Sequence, residues 1–351
     1  IDPVLQNLGL GSMRHLFGAN ASFITAEHLA TMSAGVPDYD TANPWPTPRD
    51  RFRADVYASP DREWAPADIL RLKWVSTGHL DFFPGTKISY SSTNFVLLGL
   101  LLSAIHNHVD RWDAYQQLEA LDALPTERLA LYDEMLFGVH GAPVDFDSAP
   151  GFDRTSYNGH NSSALPGTAV VDIKGVYAGW TASDITTGVI DTARLGYDIF
   201  GKRGPRALEP ASVMHMIPTN SFYGFATFNL SSGWGPSIAS PYYTAYGHVG
   251  ATYGYQSVVA YFPGADVSIS VASNIERDNQ EQPVDTLCLA YNAVLAALTN
   301  TSEPKCSYEQ LSYWGGVCDC GNNFVCDPAT KMCSRNSTSG RLSYDDCTQL
   351  C

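Results

Sequence analysis

Alternation of apolar and polar positions is clearest late in the chain. Val267, Ile269 and Val271 alternate with Asp266, Ser268 and Ser270, the period of two that marks a strand. Gln256 to Phe262 reads as its partner, and Pro263-Gly264-Ala265-Asp266 reads as the turn between them. Pro283 sits where a first helical turn tolerates proline. Val284, Leu287, Tyr291, Val294, Leu295 and Leu298 then mark the apolar face of a final helix. Earlier segments follow the helical period instead. Residues 24–35 predict a short helix with Thr25 as N-cap and Gly35 past its end. After Tyr90, the spacing of Phe95, Leu98, Leu102 and Ile105 predicts a helix that buries those four side chains. Residues 112–135 and 182–200 are also helical in pattern, whereas 36–68 read mostly as loop and 141–172 as a long surface excursion. No internal repeat appears.

Helices in the middle, strands late and one helix to cover them give an α+β fold: an antiparallel sheet flanked by helices, plus a mostly helical lobe. The expected boundaries are a domain over 1–303, with the helical lobe roughly at 10–200 and the sheet and last helix roughly at 205–300, then a tail over 304–351. The length of 351 residues suffices for two lobes and an appendage.

Cysteine usage sets the tail apart. All eight cysteines lie at or beyond Cys288, and seven fall between Cys306 and Cys351. Such clustering predicts a disulfide-knotted module, with Cys288 bridging into it. Cys318-Asp319-Cys320, Cys326 and Cys333 do not repeat the paired spacing of a zinc site. Five Asn-x-Ser/Thr acceptors, at Asn20, Asn161, Asn229, Asn300 and Asn336, add to the expectation of a secreted or lumenal glycoprotein. A formal net charge of −15 argues against nucleic acid and against an anionic membrane surface. The longest apolar run, Phe95 to Ile105, falls short of the roughly 18 residues that a membrane span needs. The chain begins at Ile1 without a signal peptide, which we read as a terminus made by cleavage or a longer sequence cut at that point.

Candidate chemistry resides in three strings. The first runs from Pro84 through Tyr90-Ser91-Ser92-Thr93-Asn94 to Leu98-Gly99. The second is His248-Val249-Gly250-Ala251-Thr252-Tyr253-Gly254-Tyr255, followed after one strand by Pro263-Gly264 and Ser273-Asn274. The third is Ile24-Thr25 through Ser33-Ala34-Gly35-Val36-Pro37-Asp38-Tyr39. In this order they resemble the serine β-lactamase-like family, which includes class C β-lactamases, penicillin-binding DD-peptidases and their esterase, amidase and D-aminopeptidase relatives. Ala178-Gly179-Trp180-Thr181-Ala182-Ser183-Asp184 resembles a helix start of the same family. The resemblance covers roughly residues 1–300 and excludes the tail.

What the resemblance implies is acyl transfer without a cofactor or metal. Family members activate a serine with a lysine one helical turn away, in a Ser-x-x-Lys motif. Tyr90 would share in the proton transfer, its pKa lowered by nearby positive charge. His248 would line the site, Gly250 would let substrate lie against the strand, and Ala251 would offer a backbone N–H to an oxyanion. Ser92 replaces the family's asparagine, which weakens the β-lactamase reading more than the esterase or peptidase one. The Ser302-Glu303-Pro304-Lys305 match carries an interior proline beyond the last helix and is set aside. Asp2-Pro3-Val4 resembles the segment that follows the Ser-x-x-Lys helix. The expectation is therefore a companion chain from the same precursor, N-terminal to Ile1, carrying the nucleophile. The substrate would be a small molecule or peptide. A non-catalytic relative with a binding or structural role is the alternative.

His106 and His108, two apart on a helix, point different ways and make no metal pair. No Gly-x-Ser-x-Gly elbow, P-loop or dinucleotide fingerprint is present.

Overall fold

The computed structural model describes residues 1–40, 51–141, 148–155, 168–218, 221–230, 242, 244–277 and 283–300, and the backbone of 324–327 and 332–335. Helices α1 (Asp2–Asn7), α2 (Met13–Phe17), α3 (Ala26–Ala30), α4 (Arg51–Ala58), α5 (Pro66–Leu70), α6 (Thr93–Ile105) and α7 (Thr126–Leu129) come first. Short strands β1 (Leu136–Phe137), β2 (Phe152–Asp153), β3 (Thr168–Ala169) and β4 (Ile185–Thr186) precede helices α8 (Val189–Phe200) and α9 (Pro210–Met216). Strands β5 (Phe228–Asn229), β6 (Tyr246–Thr252), β7 (Tyr255–Phe262), β8 (Val267–Ser273) and β9 (Ile275–Glu276) lead to α10 (Val284–Thr299). Strands β10 (Phe324–Asp327) and β11 (Met332–Arg335) pair in the tail.

The main sheet is four-stranded and antiparallel, in the order β5-β6-β7-β8. Its register places Val258 opposite Val271 and Ala260 opposite Ile269. These side chains form one core with Leu287, Tyr291 and Leu295 of α10, where Phe262 stacks on Tyr291 with centroids 3.6 Å apart. The late hairpin and final helix thus lie where the alternation put them. Cys288 of α10 is disulfide-bonded, and every other cysteine of the chain lies at 306 or beyond.

Among the described residues of 36–68, α4 and part of α5 interrupt a stretch that is otherwise without helix or strand. Three expectations are corrected. Helix α3 is capped by Thr25, whose Oγ1 accepts from His28 N at 3.2 Å, but it ends at Ala30. Gly35, at φ +75°, serves a close approach to the Phe82 backbone instead of the helix end. Residues 112–135 are broken into single turns, with Pro125 immediately before α7. Helix α6 presents the other face: Val96, Leu97, Leu100 and Ser103 are buried, whereas Leu102 and Ile105 are exposed. This helix is apolar all round, so its period does not choose a face. Packing chooses it, because a Cβ on Gly99 would collide with Thr181, whose Oγ1 donates to Phe95 O at 2.9 Å.

Helix α4 carries the main polar link across the molecule. Arg53, 5% exposed, donates through Nη1 and Nη2 to Glu276 at 2.6 and 2.8 Å and through Nη1 to Asp153 at 2.7 Å. Its guanidinium lies 4.7 Å from the Tyr253 ring centroid. Tyr57 and Thr155 donate to Asp153, and Gly254 N donates to Glu276 at 2.8 Å. Burial alone would raise the Asp153 pKa; the Arg53 charge and the donated hydrogen bonds outweigh it and hold the carboxyl below its ordinary value.

Replacing Arg53 with Ala takes the guanidinium away from two buried carboxylates, and should lower the unfolding free energy by about 3–5 kcal/mol in urea titrations. The exposed Arg62–Asp68 pair should be worth less than about 1 kcal/mol in the same assay. Because the Asp153 pKa is depressed in the folded state, its contribution is complete above the ordinary 3.8 and is lost as pH falls through the folded value.

Candidate active site

Tyr90 precedes the first turn of α6, on a segment pinned to the 32–38 loop. Ser89 N donates to Met32 O and Gly85 N to Ser33 O, both at 2.9 Å. Ser92 N donates to Asp38 Oδ1 at 2.9 Å, which also accepts from Tyr39 N. Met32, at φ +58°, turns its sulfur inward, where it accepts from Ser91 N and Asn94 Nδ2 at 3.4 Å. Behind this turn, Ser91 Oγ, Thr93 Oγ1 and Asn94 Oδ1 are buried without a hydrogen-bond partner among the described residues.

His248 lies in β6, paired in register with Val259, and Gly250 is paired with Ser257. Its Nδ1 is 2.6 Å from the Val249 carbonyl oxygen and its Nε2 is 3.2 Å from the Tyr223 hydroxyl. Burial lowers the His248 pKa to about 4, while the Val249 contact acts in the opposite direction. The ring is therefore neutral at physiological pH.

Tyr90 and His248 belong to one aromatic cluster, joined through Tyr223 and Phe228. Tyr90 stacks on Phe228 at 6.2 Å with planes 8° apart, and meets Tyr223 edge-on at 6.1 Å. Phe228 is 4.6 Å from Tyr223 and 4.7 Å from His248, centroid to centroid. Ser92 hydrogen-bonds Tyr90, and Gly250 and Ala251 follow His248 along the same strand. Gly250 also has a packing reason: a Cβ there would press on the Ser257 hydroxyl.

The electrostatics of Tyr90 reverse the expectation. Its pKa is raised above the ordinary tyrosine value, by burial of the hydroxyl first and then by the Asp40 and Asp38 carboxylates; only the Ser92 hydrogen bond works against this. The chain surrounds its candidate base with negative charge, so Tyr90 stays protonated. Tyr90 as a whole residue is nevertheless 40% exposed.

A beta-lactamase family model matches residues 2–290. The chain belongs to the beta-lactamase family. Two solved structures share the fold of this beta-lactamase relative. The D-stereospecific amidohydrolase from Streptomyces sp. is 16% identical, with a TM-score of 0.50 over 79% of this chain and 74% of that one. The D-amino acid amidase from Ochrobactrum anthropi SV3, complexed with L-phenylalanine amide, is 15% identical, with a TM-score of 0.52 over 86% of this chain and 80% of that one. No curated protein matches the sequence.

Nothing in the sequence singled out Tyr223 or Phe228, and Asp38 is one position of the Ser33–Tyr39 segment until the loop meets Ser92. Tyr223 and Phe228 stand in a stretch without clear periodicity; the signal available was the aromatic run Phe222-Tyr223-Gly224-Phe225 ahead of β6. The Ala178–Asp184 string forms a turn against α6 instead of a helix start, with Asp184 accepting from Trp180 N at 2.7 Å, and α8 begins only at Val189. Among the described residues no group of three or more His, Cys, Asp or Glu is arranged to hold a metal ion, and no helix is long and apolar enough to cross a membrane.

Phe228 is 3% exposed and touches every aromatic member of the cluster. Phe228→Ala should cost about 3–5 kcal/mol of stability in denaturant titrations. Near-ultraviolet circular dichroism should show the loss of tyrosine ordering in the folded variant.

Proposed function

We propose that the chain is the larger part of a serine hydrolase that cleaves an amide or ester bond through an acyl-enzyme. The observation that carries this reading is the convergence of Tyr90 and the His248–Ala251 strand, from separate elements, on one half-open aromatic site. Tyr90 acts as a general base toward a serine and lysine that lie outside residues 1–351. Ala251 contributes a backbone donor to the oxyanion, and Ser92 holds the Tyr90 hydroxyl.

Two features support an added polypeptide, which we propose derives from the same precursor. Among the described residues strand β8 is an edge of the main sheet, seven residues long, free of proline, lysine and arginine. The buried Ser91, Thr93 and Asn94 oxygens behind Tyr90 need polar partners, and a lysine ammonium supplies three donors. That ammonium would also offset the Asp38 and Asp40 charges and bring the Tyr90 pKa down.

We place the protein in the secretory route, with Asn20 and Asn300, both exposed, as the preferred glycan acceptors. Asn229 is half-buried in β5, and Asn161 and Asn336 lie outside the described residues. One observation favours the non-catalytic alternative: the described residues put carboxylates, and no cation, beside Tyr90.

With the companion present, Tyr90→Phe keeps the ring and deletes the hydroxyl. Hydrolysis of an activated ester should fall on the order of 10²–10⁴-fold, the usual worth of positioned acid–base catalysis. A fluorophosphonate probe should label the companion and spare this chain. Undiminished turnover, or a labelled serine within 1–351, refutes the assignment; no labelling of folded protein supports the binding-only alternative.

A further inference from the structure

Tyr223 is the least exposed polar group of the aromatic cluster, at 1%. A tight hairpin holds it: Gly224 N donates to Thr227 O and Asn229 N to Phe222 O, both at 2.8 Å, and Tyr223 bridges Phe228. Its hydroxyl is 3.2 Å from His248 Nε2, while His248 Nδ1 is 2.6 Å from Val249 O. A carbonyl oxygen only accepts, so the proton of the neutral ring sits on Nδ1. Nε2 then offers a lone pair, and the Tyr223 hydroxyl must be the donor. Both ring nitrogens are occupied within the protein.

We infer that Tyr223 is a positioning residue for the hydrolysis proposed above, its hydroxyl fixing His248 as the Nδ1–H tautomer so that His248 is an uncharged wall, not a proton carrier. The inference rests on that reading of the site. It also sharpens the place that the resemblance gave His248, which was to line the site. A side chain whose two nitrogens are already paired has no free donor or acceptor for substrate.

The surroundings agree. Phe228 covers one side of the imidazole, Val259 of β7 lies opposite it, and Tyr246 and Gly250 flank it on β6. Tyr261 of β7 faces Tyr246, and Tyr90 stands beyond Tyr223, with Asp38 and Asp40 acting on Tyr90. Burial and the Val249 carbonyl are the influences on the titration of His248, and no charged side chain is among them. An imidazolium here would carry an unpaired charge, so the pair excludes it at the pH where acyl transfer operates.

The experiment uses the complete two-part protein with ¹⁵N-labelled histidine, His248→Gln assigning the resonance. The wild type should show the Nδ1–H tautomer, uncharged above about pH 5. Tyr223→Phe removes the donor to Nε2 and leaves the packing in place. The His248 midpoint should then rise by about one pH unit, as the loss of one hydrogen bond that favours the neutral ring requires. The acid limb of kcat/KM for an activated ester should move up with it, with turnover largely restored near pH 8. A wild-type Nε2–H tautomer, a wild-type midpoint near the ordinary 6.5, or an unshifted midpoint in the variant overturns the inference. An unmoved acid limb with a shifted midpoint overturns the positioning role. The tautomer is read without turnover, so a wild type inert toward the ester overturns the hydrolase reading, and the positioning role with it, while leaving the hydrogen-bonded pair measurable.

Discussion

The Arg53 guanidinium joins segments far apart in sequence: α4, strand β2, strand β9 and the β6–β7 turn at Gly254. Four donors from Tyr57, Thr155 and Gly254 complete the carboxylates, so the cluster is both buried and satisfied. Tyr90 and His248 meet separately, through Phe228 and Tyr223. A buried cluster of this kind is costly to assemble and costlier to break, which fixes how α4, β2, β9 and the Gly254 turn sit together.

Within the site the described residues provide hydroxyls, carboxylates, a neutral imidazole and aromatic faces. Desolvation acts throughout with one consequence: it favours the uncharged form of Tyr90, Tyr223 and His248 alike. Around Tyr90 the carboxylates of Asp40 and Asp38 act in the same direction, holding the hydroxyl protonated.

The sheet and the final helix were legible because each is written locally. Period two over 256–271 and a cap-like turn ahead of an apolar run need no distant partner to be read. What was not legible depended on distance. Arg53 broke the apolar pattern of α4, because a buried guanidinium is polar in the sequence and interior in the fold. Helix α6 hid its face in uniform hydrophobicity until Thr181 met Gly99. The charge around Tyr90 comes from Asp38 and Asp40, about fifty positions earlier, and no local pattern reports it. Tyr223 reaches His248 across 25 residues with no motif between them.

The unprotected margin of β8 bears on the order of events during assembly. Among the described residues no strand pairs with the outer edge of β8, so its backbone can pair with an extended strand, including the same edge of another copy. The segment proposed to complete the sheet would have to arrive faster than a second molecule does. If both come from one polypeptide, the encounter is intramolecular, and its effective concentration stands far above that of neighbouring copies. Cutting the chain after folding preserves that advantage, whereas mixing separately made pieces forfeits it and invites edge-to-edge association.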